Sequence, residues 1–129
     1  MIPVFADTHY YLALLNPRDE WHAAAVRLSE DQSLREGTSE FVLLEIADGL
    51  ADTPSRWLVK TLADSLRADR RTHVVRASAA LLGDALALYV RRADKRWSLT
   101  DCTSFVIMNR RRIRRALTAD RHFAQAGFE

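Results

Sequence analysis

Cysteine and glycine are scarce in this chain, and their scarcity excludes several kinds of site. The single cysteine, Cys102, rules out an internal disulfide and a four-cysteine zinc site, and it fits a reducing cytoplasm. The four glycines are dispersed, so neither a phosphate-binding P-loop nor a dinucleotide-binding fingerprint is present. The four histidines show no metal-ligand spacing such as His-Glu-x-x-His. We expect Cys102 to be a core residue.

Long apolar runs are also missing. No stretch approaches the roughly 20 apolar residues that a membrane span needs, and no basic segment precedes the apolar N-terminal run, so we expect neither a membrane partner nor a signal peptide. Hydrophobic residues make up 48% and charged residues 28% of the 129 residues, which is typical of one globular domain. We therefore expect a single cytoplasmic domain over residues 1–129.

Short apolar runs alternate with amphipathic segments along the chain. This alternation predicts parallel strands joined by right-handed helical crossovers. The expected fold is a three-layer α/β/α sandwich with a central parallel sheet of four to five strands. Strands are predicted at 2–6, 37–39, 72–76 and 113–118; helices are predicted from Asp7 to 15, from Asp19, at 40–50, from Thr53-Pro54, at 78–92 and from Ser98 or Thr100 to 112. Residues 122–129 are expected to form a loop and the start of a fifth strand.

Four carboxylates stand at unusual places in this pattern. Asp7 and Asp120 each follow a predicted strand, Asp101 lies in the first turn of a helix, and Glu45 interrupts the apolar segment Phe41-Val-Leu-Leu-Glu-Ile-Ala. Each has a structural alternative: capping for Asp7 and Asp120, interaction with the helix dipole for Asp101, and a solvated stripe for Glu45. Taken singly, none of these positions decides a function.

The four acids are nevertheless all expected at the same edge of the sheet. The carboxyl ends of parallel strands meet the starts of the following helices at one edge of a sheet, where ligands bind. Clustered carboxylates raise one another's pKa, and a hard divalent cation such as Mg²⁺ or Mn²⁺ removes that penalty. Such a centre suits hydrolysis of phosphodiesters, because the metal activates water and stabilises the leaving oxygen.

Four motifs in the chain resemble those of the PIN-domain ribonucleases, and most closely those of the small VapC-type toxins. They are Val-Phe-Ala-Asp-Thr, Leu-Leu-Glu-Ile, Leu-Thr-Asp-Cys-Thr-Ser-Phe and Leu-Thr-Ala-Asp-Arg-His-Phe-Ala-Gln-Ala-Gly-Phe. The resemblance covers essentially the whole chain, and the two C-terminal motifs are the specific ones. One departure is the ending, since the family usually continues past Gly-Phe into a final edge strand.

The resemblance implies a metal-dependent endoribonuclease that uses Mg²⁺ or Mn²⁺. Asp7 and Asp101 would be the main metal ligands, Asp120 would ligate directly or through water, and Glu45 would complete the shell or orient the attacking water. The family's hydroxyl position matches Thr8 or Ser104, with Thr118 another candidate. Hydrolysis would leave a 5′-phosphate and a 3′-hydroxyl. The resemblance also implies a cognate antitoxin that inserts into the acidic groove, and a homodimer.

Two other functions remain open on the sequence. A PIN domain without activity would serve only to bind RNA or protein, although retention of all four acids argues against it. A single-strand DNase or an RNA-processing nuclease would use the same acids. Cleavage of single-stranded RNA and DNA under metal titration distinguishes these classes.

Basic residues provide candidate RNA contacts. Setting the four acids aside leaves 13 of the 17 acidic residues against 19 basic ones, and these positive charges can neutralise phosphates. Arg111, Arg112, Lys95 and Arg96 are the candidates, and the alternative for the arginines is a solvated helix end.

Trp97 and Tyr89 are expected to pack rather than stack on bases, and His122 is expected to contact backbone near Asp120. The candidate interface aromatics are Trp21, Trp57 and Tyr11.

Overall fold

Four short parallel strands form the single sheet of the computed structural model, which describes residues 1–129. The strands are β1 (Ile2–Ala6), β2 (Leu34–Ser39), β3 (Thr72–Val75) and β4 (Arg115–Leu117). Their order across the sheet is β3-β2-β1-β4, and every neighbouring pair is parallel. All four carboxyl ends therefore lie along one edge, with the end of β1 between those of β2 and β4. The three-layer parallel architecture predicted from the sequence is confirmed.

Seven helices connect and cover these strands. They are α1 (Thr8–Leu15), α2 (His22–Glu30), α3 (Glu40–Gly49), α4 (Trp57–Ala68), α5 (Ala79–Arg91), α6 (Leu99–Arg111) and α7 (His122–Gln125). Three of them begin at serine caps, where the hydroxyls of Ser39, Ser78 and Ser98 accept the backbone N–H three residues on. None of the helices is long and apolar enough to cross a membrane.

An aromatic cluster fixes α6 and α7 in the core. The Phe105 ring lies 5.0 Å from Trp97, 4.9 Å from Phe123 and 5.7 Å from Phe128, measured between ring centroids. Trp97 is thus a packing residue, as expected, whereas Tyr89 is 48% exposed. Cys102 is wholly buried, and its burial raises the thiol pKa to about 11, so it remains protonated in the core. The cluster holds the start of α6 beside the segment that carries Asp120.

Several predicted boundaries were wrong. The second strand begins at Leu34 rather than residue 37, because its first half pairs with β1 from Leu34 onward and this ladder overrides weak strand propensity. The fourth helix begins at Trp57, three residues past Pro54. In place of a regular fifth strand the chain forms α7, and Glu129 then donates a backbone hydrogen bond to Arg114, just before β4, at 2.8 Å and accepts one from Ala116 of β4 at 2.7 Å.

One predicted interface aromatic, Tyr11, is a core residue instead. Its side chain is wholly buried against the sheet, and its hydroxyl donates a hydrogen bond to Glu36. The periodicity of a short helix does not reveal which aromatic side chain faces the sheet, and burial by β2 decides it here. Trp21 and Trp57 are 53% and 67% exposed, so both are accessible to a partner.

Candidate metal centre

Asp7 lies at the carboxyl end of the central strand, and its side chain is 1% exposed. It occupies the N-cap position of α1, but its side chain makes no capping hydrogen bond. The capping role that the sequence allowed for Asp7 therefore does not describe its carboxylate. Its Oδ2 instead accepts hydrogen bonds from Thr118 Oγ1 at 2.9 Å and from His9 Nδ1 at 3.2 Å. Its Oδ1 is buried without a hydrogen-bond partner. An unpaired buried carboxylate oxygen is costly, and a bound cation would satisfy it.

Asp101 combines a structural role with a place in the cluster. It completes a capping box with Ser98: its Oδ2 accepts the Ser98 N–H at 3.1 Å, and its own N–H donates to Ser98 Oγ at 2.9 Å. The same Oδ2 lies 3.0 Å from His122 Nδ1. Burial raises the pKa of Asp101, the bonds from Ser98 and His122 oppose this effect, and the charges of Asp7 and Asp120 reinforce it.

Asp120 sits between these two carboxylates on the loop before α7. Its N–H donates to Thr118 Oγ1 at 2.9 Å, and its Oδ1 accepts the backbone N–H of His122 at 2.9 Å. Its Oδ2 lies 3.9 Å from His9 Nδ1. Asp120 therefore has the turn-capping role expected of a loop aspartate while facing both neighbouring groups.

Glu45 faces the same space from α3. It is half-buried and lines an open groove of about 520 Å³ together with Asp101, Asp120 and Arg96. The apolar helix segment that contains it packs against the sheet through Val42 and Ile46, both of which are wholly buried. The four predicted acids thus meet at one edge of the sheet.

Two histidines belong to this cluster, and the sequence interpretation missed both roles. His122 was expected to contact backbone; that was wrong, because its Nδ1 lies 3.0 Å from Asp101 Oδ2 and 3.4 Å from Asp120 Oδ1. The hydrogen bond between His9 and Asp7 raises the pKa of the His9 imidazole, and the charges of Asp7, Asp120 and Glu45 raise it further. Partial burial of His9 lowers its pKa and opposes these effects. The available signal was spacing, since each histidine stands two residues after a site aspartate.

The three candidate hydroxyls are placed differently. Thr118 Oγ1 joins Asp7 Oδ2 to the backbone of Asp120, so it contacts the acids directly. Thr8 Oγ1 and Ser104 Oγ are buried and have no hydrogen-bond partner. Thr118, offered as the last of the three, is the hydroxyl that bonds a site carboxylate.

The donor set fits a divalent cation. Asp7, His9 and Asp120 form one group, and Asp101, Asp120 and His122 form another; within each group, one ligand atom per residue lies within 4.8 Å of the others. The two groups share Asp120 and are rich in carboxylate oxygen, which suits Mg²⁺ or Mn²⁺. The orphaned Oδ1 of Asp7 is the observation that favours a cation in this place.

The candidate RNA-binding residues separate into two groups. Arg96 lines the acidic groove, and Lys95 is its half-buried neighbour in the loop before α6. Arg111 and Arg112 are exposed at the far end of α6, about 15 Å from Asp101 at 1.5 Å per residue. Only Arg96 among the four lines the groove with the carboxylates.

Comparison with known proteins agrees with this geometry. Residues 4–129 match the family model of the PIN domain. The chain is 30% identical over 125 residues to the 23S rRNA-specific endonuclease VapC20 of Mycobacterium tuberculosis, covering 97% of this chain and 95% of that protein. The crystal structure of that VapC20, described as a sarcin–ricin loop cleaving toxin, superposes with a TM-score of 0.84 at 30% identity, over 98% of this chain and 96% of the other.

Two more distant structures share the fold. VapBC2 from Rickettsia felis, bound to a DNA fragment from its promoter, has a TM-score of 0.65 at 12% identity, over 97% of this chain and 93% of that one. FitAcB from Neisseria gonorrhoeae has a TM-score of 0.63 at 15% identity, over 98% and 96%. With the match over residues 4–129 and the identity to VapC20, the chain belongs to the PIN-domain family, and within it to the VapC-type endoribonuclease toxins.

Proposed function

We propose that this endoribonuclease cuts ribosomal RNA by hydrolysis at a divalent metal held by Asp7, Asp101 and Asp120, with Mg²⁺ or Mn²⁺ as the ion. The observation that carries this proposal is the buried carboxylate of Asp7, which has one oxygen held by Thr118 and His9 and the other without a partner. A bound divalent metal would supply Lewis-acid stabilisation of phosphate oxygens and would lower the pKa of an attacking water.

The chain's own residues then have separate tasks. Asp7, Asp101 and Asp120 hold the cation, and Glu45 orients the attacking water from α3, across the groove. Thr118 keeps the Asp7 carboxylate and the Asp120 backbone in register through its single hydroxyl. Arg96 binds a phosphate of the RNA at the rim of the groove, where its charge offsets the surrounding acids.

The proposed substrate is 23S rRNA at its sarcin–ricin loop. The support is the similarity to VapC20, which extends over 97% of this chain, together with the presence of Glu45, Asp101 and Asp120 in one groove, where His9 bonds the buried Asp7 carboxylate beside them. Action on ribosomal RNA requires the cytoplasm, where ribosomes are. A second substrate class, single-stranded DNA, would use the same centre and is included in the test.

Cleavage mapping tests this function. Purified protein and its Asp7→Asn variant are incubated with ribosomes, with a synthetic sarcin–ricin hairpin and with single-stranded DNA, with Mg²⁺, Mn²⁺ or a chelator. We expect one cut in the hairpin, with a 5′-phosphate, that requires metal and is lost in the variant. Cleavage of DNA alone, or binding of RNA without any cut, would contradict the proposal.

We also propose an antitoxin partner and a homodimer. An apolar groove between α1 and α2, lined by Ala13, Trp21 and Leu28, opens beside His9 and Thr118, so one bound segment can cover both the groove and the acids. Exposed apolar side chains also follow one face of α5: Leu82, Leu86, Tyr89 and Val90. Light scattering on the purified chain tests the dimer, and loss of association in Leu86→Glu would support this face as the contact.

A further inference from the structure

His9 and His122 hold the two most buried site carboxylates in the same way. Asp7 Oδ2 takes hydrogen bonds from Thr118 and His9, and Asp101 Oδ2 takes them from the Ser98 backbone and His122. In both aspartates Oδ2 thus has two donors, and Oδ1 makes no hydrogen bond to the protein. The same arrangement thus occurs twice, once at the start of α1 and once at the start of α6. Folding does not require it, because capping of α6 needs only the contacts between Asp101 and Ser98.

From this arrangement we infer that His9 and His122 are positioning residues, which fix one oxygen of each carboxylate and turn the other towards the cation. The inference rests on the proposed metal-dependent function. Because the partner atom is a carboxylate oxygen, each Nδ1 carries the hydrogen and donates it. An Nδ1 that donates this hydrogen cannot itself ligate the metal, so through that nitrogen each imidazole acts on the metal by way of an aspartate.

Geometry supports this role over a solely structural one. His122 lies 3.4 Å from Asp120 Oδ1 and His9 lies 3.9 Å from Asp120 Oδ2, so each ring spans the gap between an outer aspartate and the shared one. The His9 side chain is 54% exposed, so it contributes little to core packing and its contacts are with the acids. Groups that orient metal ligands typically affect metal affinity 10–100-fold.

Metal binding measured without RNA tests the inference. Calorimetric titration of Mn²⁺ into the full chain is compared for the wild type, His9→Ala, His122→Ala, His9→Asn and His122→Asn. The asparagine amide places an N–H near the position of Nδ1, so it keeps the donor. We expect affinity to fall about 10–100-fold in each alanine variant and to return to within about threefold of wild type in each asparagine variant. His73→Ala, on the exposed part of β3, is the matched control and should bind normally.

Other outcomes would overturn the inference. Unchanged Mn²⁺ affinity in both alanine variants, or no recovery in the asparagine variants, contradicts a donor role. Pulsed electron paramagnetic resonance of bound Mn²⁺ provides an independent signature, because a strongly coupled imidazole nitrogen would make the histidine a direct ligand. If the wild type binds no Mn²⁺ and Asp7→Asn changes nothing, the proposed metal centre itself fails, and that result is distinct from failure of the histidine role alone.

Discussion

The two edges of the sheet handle charge in opposite ways. At the carboxyl edge, Asp7 and Asp101 are 1% and 4% exposed, and each carboxylate accepts two hydrogen bonds. Those to Asp7 come from the side chains of Thr118 and His9, and those to Asp101 come from the Ser98 backbone and the His122 side chain. At the amino edge, arginines at the end of α6 and the start of β4 are exposed; Arg110 pairs with Asp84, and Arg115 lies 3.6 Å from Glu129. The carboxyl edge buries negative charges together, whereas the amino edge exposes its positive charges to solvent beside negative ones.

Stability alone accounts for the amino edge. Exposed ion pairs are worth about 0–1 kcal/mol, and arginines at a helix C-terminus interact favourably with its dipole. Burying Asp7 beside Asp101 and Asp120 gives no such benefit, since desolvation and repulsion both disfavour the charged forms. Stability alone therefore does not account for the arrangement of the carboxyl edge.

The largest expected effect is the loss of cleavage in Asp7→Asn or Asp101→Asn. Removing a proposed metal ligand should take away several kcal/mol of transition-state stabilisation, so we expect the rate to fall about a thousandfold or more. Single-turnover cleavage of the sarcin–ricin hairpin measures it. Asp84→Asn at the amino edge is the matched control and should cleave at the wild-type rate.

The same aspartate substitutions should leave the metal-free fold as stable as wild type or more so. Each one removes a negative charge from a buried cluster, and relief of about 1 kcal/mol would raise the melting temperature by roughly 3–5 °C. Thermal melts with a chelator measure this. A clear drop in the melting temperature would show that the carboxylate charge is structural, and the contrast between the two edges would fail.

A smaller effect should separate Arg96 from Arg111 and Arg112. Arg96→Gln should weaken binding of both a short oligonucleotide and a long RNA, by roughly tenfold, because its guanidinium lies in the groove. Arg111→Gln/Arg112→Gln should affect only the long RNA and flatten its salt dependence, by about 0.7 per lost contact in a logarithmic plot. Filter binding across salt concentrations measures both. An unchanged slope in the double variant assigns that pair to the solvated surface.

Stability of the metal-free protein should decline as the pH rises through neutrality. Asp101 has its pKa raised above 3.8, so its contribution to stability is complete below pH 3.8 and is lost as the pH rises through its folded-state pKa; the change around neutrality comes from His9. His9 has its pKa raised above 6.5, so its contribution to the stability of the fold is complete below pH 6.5 and is lost as the pH rises through its folded-state pKa. Melting temperatures between about pH 6 and about pH 8 should fall without metal and fall less with Mg²⁺. Equal slopes with and without the ion would contradict this account.

The smallest expected effects come from the two ends of α6. Ser98→Ala removes a cap at the acid edge and should cost about 1 kcal/mol of unfolding free energy, with lower metal affinity because the backbone N–H of Asp101 loses its acceptor, the Ser98 hydroxyl. Arg112 has a left-handed backbone, φ 56°, so Arg112→Gly should stabilise by up to about 1 kcal/mol without changing metal affinity. Chemical denaturation and calorimetry measure both changes. Altered metal affinity in Arg112→Gly would contradict the independence of the two edges.

Local patterns explain what could be predicted in advance. Ile2–Ala6 is an apolar run that ends at an acid, and serine precedes three helices at the positions where it caps them, so both features follow from neighbouring residues. The first half of β2 escaped prediction because pairing with β1, which is distant in the chain, stabilises it. Tyr11 escaped prediction because only contact with Glu36 and the sheet shows that it faces inward.

By itself, the sequence determined the alternation of strands and helices and the identity of the four acids, because both depend on residues close together in the chain. Tertiary structure alone decided what surrounds those acids. The bond from Thr118 to Asp7 joins residues 111 positions apart, and it forms because β4 lies directly beside β1. The same strand order brings His122 to Asp101 and leaves Arg111 at the opposite edge from the groove. Contacts of this range follow from the order of strands in the sheet, which no local pattern encodes.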